Sequence, residues 1–309
     1  MRTSPFLAGY RIGHASDFER RTGCTVVLPP PGTIAAVDVR GGAPGTRETG
    51  VFTPGNLVAQ IDGLLFTGGS AFGLAAATGV MAWLRAEGAG FSVGASKVPI
   101  VAGAVIFDLA VGDPSAFPDA SMGEEACRAA SGGEVEIGRV GAGTGATIGK
   151  LLGLERASPG GVGVAVLPLP GGEAVAAIAV VNSFGDVVDP ETGEILAGPR
   201  IGQTPVRTVR ALLEGDEPLR PPATPGGHTT LVCVATTIAF EPGSLKRIAM
   251  EAHDGIARAV RPSHSIVDGD VVFALSPPGP APEIPVRLRV GAAAAEAAAR
   301  AIVAAVRGR

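Results

Sequence analysis

Thr229 stands where a Pro/Gly-rich run (Pro221, Pro222, Pro225, Gly226, Gly227) becomes the apolar, β-branched stretch Leu231-Val-Cys-Val-Ala-Thr236. A hydroxyl residue at the start of a rigid strand suits one chemistry in particular. If the bond between His228 and Thr229 were cut, Thr229 would carry a hydroxyl and a free α-amine side by side. The hydroxyl alone is a weak nucleophile, and a neighbouring amine can serve as its base. An α-amino group titrates near pH ~7.7–8.0, close to what a base needs at neutral pH. The same residues also read as a strand that simply begins Thr-Thr, since threonine favours strands.

Other residues offer chemistry at separate points of the chain. Asp268-Gly269-Asp270 sets two carboxylates two positions apart before the apolar run Val271-Val-Phe-Ala-Leu275. In extended chain both point to one side, and like charges that close raise one pKa. A turn with solvated aspartates gives the same pattern. Asn182 ends a long apolar run and is either an amide donor to a developing oxyanion or a turn former. Gly68-Gly69-Ser70 lies between a strand pattern and a helix pattern. Its backbone amides can meet a substrate anion, and the Ser70 side chain is expected to cap the helix. Arg47 and Glu48, in a glycine-rich loop, are either site residues or solvated charges.

Some signals are excluded. Gly141-Ala-Gly143-Thr-Gly145-Ala146 meets the loose dinucleotide spacing, but Gly149 and Gly153 interrupt the helix that should follow. Lys150 after Gly149 has the wrong spacing for a phosphate loop, and Leu151 stands where a Ser or Thr would meet magnesium. Phe72 occupies the last glycine position of a Gly-x-Ser-x-Gly elbow. The three cysteines, Cys24, Cys127 and Cys233, form no CxxC pair and suggest neither a disulfide framework nor a zinc site.

Periodicity supplies the elements that must hold these residues. Residues 7–40 read as a pair of strands broken at a proline cluster, and residues 61–67 as another strand. Leu74 to Glu87 has helical spacing, stopped by Gly88. Further strands are expected over 98–109, 163–167 and 174–182, with a short helix over 123–130. Residues 189–228 shift to Pro, Gly, Arg and Glu and read as a long surface excursion with a short helix near 206–213. Ser244 to Val260 is an amphipathic helix whose His253 is expected to pack, not to react. The tail from Ala292 to Val306 is an alanine-rich helix.

Hydrophobic residues make up 46% of the 309-residue chain and charged residues 17%, so a large core is expected. A net charge of −4, no basic block and 4% aromatics argue against nucleic acid. No apolar run reaches the ~18 residues of a membrane span, and the amino terminus lacks a signal-peptide core. The expected location is the cytoplasm.

Taken together, the chain resembles the N-terminal-nucleophile aminopeptidases, the family of the L-aminopeptidase/D-amidase-esterases and β-peptidyl aminopeptidases. The likeness covers nearly the whole chain. It is carried by Arg40-Gly-Gly-Ala-Pro-Gly-Thr-Arg-Glu-Thr49, Leu65-Phe-Thr-Gly-Gly-Ser-Ala-Phe-Gly-Leu74, Gly141–Ala146, Val181-Asn182, Thr229–Thr236, Ala252-His-Asp-Gly255 and Asp268–Ala274. It implies an α+β, four-layer αββα sandwich with two packed mixed sheets. It also implies one domain over 1–309 that cuts itself into 1–228 and 229–309. By position, Thr229 becomes the nucleophile, Asn182 the oxyanion donor, and Asp268 and Asp270 the orienting acids, with Gly68, Gly69 and Ser70 lining the pocket. The implied activity is hydrolysis of peptides, amides or esters carrying small N-terminal residues, with no metal or organic cofactor and a homo-oligomeric assembly.

The chain departs from the family pattern at two places. His228 precedes the nucleophile where close relatives carry asparagine or glycine, and Asp268 stands where they carry a hydroxyl or small polar residue. Two other functions stay open on this reading. One is acyl transfer of the ornithine acetyltransferase type. The other is small-molecule binding by a chain that is never cut.

Overall fold

The computed structural model describes residues 2–215 and 227–307. The prolines Pro221, Pro222 and Pro225, Gly226 and the final Gly308-Arg309 lie outside the described residues.

Two five-stranded mixed sheets form the centre. The strands are β1 (Arg11–Asp17), β2 (Thr22–Leu28), β3 (Ile34–Val39), β4 (Thr46–Arg47) and β5 (Gly63–Thr67), then β6 (Val101–Val105), β7 (Gly161–Pro168), β8 (Ala174–Asn182), β9 (Thr229–Thr236) and β10 (Val271–Ser276). The first sheet runs β1-β2-β5-β6-β4 and the second β7-β8-β9-β10-β3. Both follow one scheme. Two antiparallel pairings lead to a parallel pair, β5/β6 or β9/β10, and an antiparallel strand closes the far edge.

Parallel neighbours need a crossover, and each sheet uses a helix. Helix α1 (Ala76–Ala86) joins β5 to β6, and a second helix, α2 (Ala120–Ala129), follows. After the short α3 (Thr208–Glu214), α4 (Pro242–Ala259) joins β9 to β10, and α5 (Ile284–Arg307) follows. The helices cover the outer faces, so the central strands are buried on both sides and read as continuous apolar runs. Along β9 the period of two is visible. Val232 and Val234 face α4 and α5, whereas Leu231, Cys233 and Ala235 face the other sheet. Helices α1 and α2 cover the first sheet through Ala76, Ala77, Val80, Leu84, Ala126 and Cys127. The result is the expected αββα sandwich.

Most elements fall where periodicity puts them. Residues 7–40 hold three strands instead of two, because β1 is interrupted by Gly13, His14 and Ser16 and shows little apolar alternation. The three cysteines are buried and unpaired. Among the described residues no helix is long and apolar enough to cross a membrane.

Candidate active site

Sheet register alone brings three chain segments together. Because β8 runs antiparallel to β9, its last residue, Asn182, pairs with the first residue of β9, Thr229. Because β10 runs parallel to β9, its start lies at that same end, where Leu231 pairs with Val271. The segment just before β10 therefore passes Thr229, and His228 bridges to Asp268. Thr229, Asn182, Asp268 and Asp270 are all 3% exposed or less. The aspartates are buried, so the solvated-turn alternative does not hold.

In the continuous chain the Thr229 hydroxyl donates to the His228 carbonyl oxygen at 2.5 Å. That oxygen also accepts the Gly269 N–H at 2.8 Å. The close approach requires glycine at 269, since a Cβ there would sit 2.8 Å from Thr229 Oγ1 and 2.9 Å from the Ala43 carbonyl oxygen. Asp270 holds the strand start, its Oδ1 accepting the Thr230 N–H at 2.6 Å. The other oxygen, Oδ2, accepts the His264 N–H at 2.9 Å and lies 2.8 Å from His264 Nδ1. His264 adopts a left-handed φ of 55° to do this and meets the His253 ring edge to face at 4.8 Å. His253 itself is fully buried against α4's neighbours and lies 3.1 Å from the Asp38 carbonyl oxygen, a packing role as its sequence context suggests.

Asp268 accepts the Ser265 N–H and hydroxyl at 2.9 and 2.5 Å and the Phe184 N–H at 3.4 Å. Burial, together with the charge of Asp270, pushes its pKa up to about 6.

Lys150 belongs to this cluster, although its sequence context suggests only a failed phosphate loop. Its Nζ donates to the Asn182 carbonyl oxygen, to Asn182 Oδ1 and to the Gly227 carbonyl oxygen, at 3.0, 2.9 and 2.9 Å. An ammonium has three donors, and here all three are used. Burial lowers its pKa to about 7, against the opposing pull of Asp268 and Asp108. Asn182 is held by its Oδ1, which also accepts the Thr147 N–H at 2.9 Å. Its Nδ2 donates to the carbonyls of Gly227 and Phe107, each at 3.3 Å, so in the continuous chain it meets the residue before His228.

Gly68, Gly69 and Ser70 reach this centre indirectly. They follow β5, at the first sheet's edge of the site, and are tied to it by Asp108, one residue after the Phe107 carbonyl that Asn182 contacts. Asp108 accepts the Gly69 N–H at 2.7 Å and the Thr22 hydroxyl at 2.8 Å, and burial raises its pKa to about 6. A side chain at Gly68 would collide with this carboxylate. The expected capping by Ser70 is not found. Ser70 has a φ of 53° and gives its N–H to the Ile106 carbonyl oxygen, and neither the 3₁₀ turn Ser70–Ala75 nor α1 carries a side-chain cap. Arg47 is half-buried, with its guanidinium 3.1 Å from Met81 Sδ.

Among the described residues no group of three His, Cys, Asp or Glu side chains could hold a metal ion. The cluster instead offers a hydroxyl, a carbonyl polarised by a backbone amide, an amide side chain, a buried ammonium and two carboxylates. That set fits acyl chemistry.

Comparison with known proteins agrees with this. The model of peptidase family S58 matches residues 7–308. An uncharacterized aminopeptidase of Mycobacterium tuberculosis is 44% identical, the alignment covering 97% of this chain and 92% of that protein. The 6-aminohexanoate-oligomer endohydrolase of a Kocuria species is 33% identical over 87% of this chain and 73% of its own. Among solved structures, the L-aminopeptidase D-Ala-esterase/amidase of Ochrobactrum anthropi superposes with a TM-score of 0.75 at 18% identity, over 98% of this chain and 85% of that one. A Burkholderia β-aminopeptidase gives 0.70 at 21%, over 99% and 88%. These two share the αββα layout described above, and the Ochrobactrum structure is described as a variant of the Ntn hydrolase fold. With a family match spanning both sheets and the whole cluster at their ends, the chain belongs to peptidase family S58 and is a hydrolase of peptide or amide bonds.

Proposed function

We propose that the chain is an autoprocessed aminopeptidase/amidase whose nucleophile is Thr229. The precursor cuts itself between His228 and Thr229 to give segments 1–228 and 229–309. Thr229 Oγ bonds to the His228 carbonyl carbon, the C–N bond breaks, and the hydroxyl proton ends on the Thr229 nitrogen. Water then splits the ester, leaving a carboxylate on His228 and a free hydroxyl and amine on Thr229.

Substrate hydrolysis repeats the ester step. The new α-amine takes the Thr229 hydroxyl proton as Oγ attacks the substrate carbonyl, then gives it to the departing amine. Water, activated by the same amine, releases the acid and restores Thr229. Once Gly227 has left, the Nδ2 of Asn182 is free to donate to the oxyanion, alongside the Gly269 N–H. Lys150 holds Asn182 in place, Asp270 fixes the start of β9, and Asp268 orients the Ser265 and Phe184 backbone. Gly68, Gly69 and Ser70 border the substrate. Likeness to an oligoamide endohydrolase as well as to aminopeptidases extends the substrate class to amide bonds outside α-peptides.

The observation that supports this most is the Thr229 hydroxyl at 2.5 Å from the carbonyl oxygen of the bond to be cut, with a backbone N–H already on that oxygen. The test is hydrolysis of amino-acid amides by wild type and by Thr229→Ala. The wild type should release the amine, and the variant should not. Amide hydrolysis that survives in Thr229→Ala would remove Thr229 from the reaction.

A further inference from the structure

His228 is the residue whose acyl group self-cleavage transfers, and its side chain lies in a closed space. The imidazole is fully buried, and neither ring nitrogen has a hydrogen-bond partner among the described residues. One wall is Phe184, edge to face with the imidazole at 5.2 Å. Phe184 in turn packs with Leu151, Leu152 and Val267. The backbone on both sides of the ring is pinned, with Gly227 held by Lys150 and Asn182 and the His228 carbonyl by Gly269. The Gly227-His228 unit is docked as a substrate's acyl part would be.

The ester formed in self-cleavage and the ester formed from a substrate are the same bond on the same Thr229 oxygen. The residue carrying the acyl carbon must therefore fall in the same volume in both. We propose that the space holding the His228 side chain is the acyl-side specificity pocket of the mature enzyme, and that it selects uncharged aromatic or bulky apolar side chains in place of the small residues that the family resemblance implies. This rests on the Thr229 mechanism proposed above.

The physical case for an uncharged occupant has three parts. The wall that meets the ring, Phe184, is aromatic and backed by aliphatic side chains, so a charge placed there loses its hydration without a partner. A cationic side chain would also meet the ammonium of Lys150. An anionic one would stand beside the buried Asp268, which pairs with His228, and like charges in a low-dielectric site repel. The same surroundings keep the imidazole neutral, its pKa lowered to about 3 by burial and then by Lys150. Cleavage leaves a carboxylate on His228, and the pocket opens to substrate when that new terminus departs.

The test has two arms read on one scale. In the first, mature enzyme is given the p-nitroanilides of alanine, leucine, phenylalanine, lysine and glutamate. The leucine and phenylalanine compounds should exceed those of lysine and glutamate by at least about tenfold in kcat/KM. Phe184→Ala, or Phe184→Leu if the first fails to mature, should lower the phenylalanine-to-alanine ratio by about tenfold. In the second arm, precursors carrying His228→Lys should cut themselves at least about tenfold more slowly than those carrying His228→Phe. Lysine or glutamate anilides cleaved as fast as leucine and phenylalanine would overturn the pocket. So would a ratio unmoved at Phe184, or self-cleavage indifferent to charge at 228. A self-cleaved enzyme that hydrolyses none of the anilides would instead overturn the hydrolytic mechanism, and the pocket with it.

Discussion

The two five-stranded sheets share one strand scheme, one crossover and one helical cover, yet they treat buried polar groups at the ends of their parallel pairs differently. In the first sheet the group is Asp108, and both of its oxygens are used, by the Gly69 N–H and the Thr22 hydroxyl. In the second sheet the account does not close. Among the described residues His228 leaves two ring nitrogens without partners, the Thr230 hydroxyl has none, and an ammonium and two carboxylates are buried together. Native proteins tend to concentrate such violations at functional sites. The comparison teaches that topology alone does not mark the reactive end. The unpaired His14 Nε2 and Arg47 Nε of the first sheet are isolated, whereas the second sheet gathers its unmatched polar groups at one end, and that clustering is what supports a reactive end there.

Substitutions at the two ends should therefore fail in different ways. The largest effect is expected at Lys150. Lys150→Met removes the donor that holds Asn182 and Gly227 and should slow self-cleavage by about 10²–10³, followed by gel or mass time course. Gly269→Ala should slow it by about 10² while circular dichroism stays native, because the added Cβ displaces the Thr229 hydroxyl and shifts the Ala43 carbonyl only locally. If either variant matured at the wild-type rate, the second sheet would lose its claim to be the reactive one.

At the first sheet's end the cost should appear in stability. Asp108→Ala leaves the buried Gly69 N–H and Thr22 hydroxyl without their acceptor and should lower unfolding free energy by about 2–3 kcal/mol in urea. A variant as stable as wild type would blur the contrast.

The smallest effect has the opposite sign. In an uncut Thr229→Ala background, adding His228→Phe removes two unpaired nitrogens and should raise stability by about 1 kcal/mol at pH 7. The advantage should grow on acidification. Burial holds the folded-state pKa of His228 at about 3, below its unfolded value of 6.5. Stability from the neutral ring is therefore present above pH 6.5 and lost as pH falls toward 3. Phenylalanine loses nothing over that range, so the gap in urea midpoint should be wider at pH 4.5 than at pH 7.

How much of this was legible in the sequence depends on where each residue's information resides. Thr229, Asn182 and the Asp268/Asp270 pair carry polar side chains at the edges of apolar runs, and that contrast is visible in one dimension. The continuous apolar runs of β8 and β9 and the apolar stripe of α4 are likewise local. Lys150 is different, because its neighbours Gly149 and Leu151 say nothing about the Gly227 carbonyl it contacts. Its part in the cluster is created by the pairing of distant segments. Gly269 has no side chain to read, and its contribution is an N–H placed by the approach to β10. Asp108 was hidden at the end of an apolar run that reads as a strand. The expected cap at Ser70 fails for a local reason, since a capping pattern cannot reveal the left-handed backbone that carries the Ser70 N–H to the Ile106 carbonyl.

The most direct test of the central claim, that Thr229 becomes a new amino terminus, is the intact mass of freshly purified protein under denaturing conditions. Two fragments are expected, residues 1–228 and 229–309, with Thr229 opening the smaller. A single uncut chain of 309 residues after long incubation would contradict it and leave Thr229 without its amine.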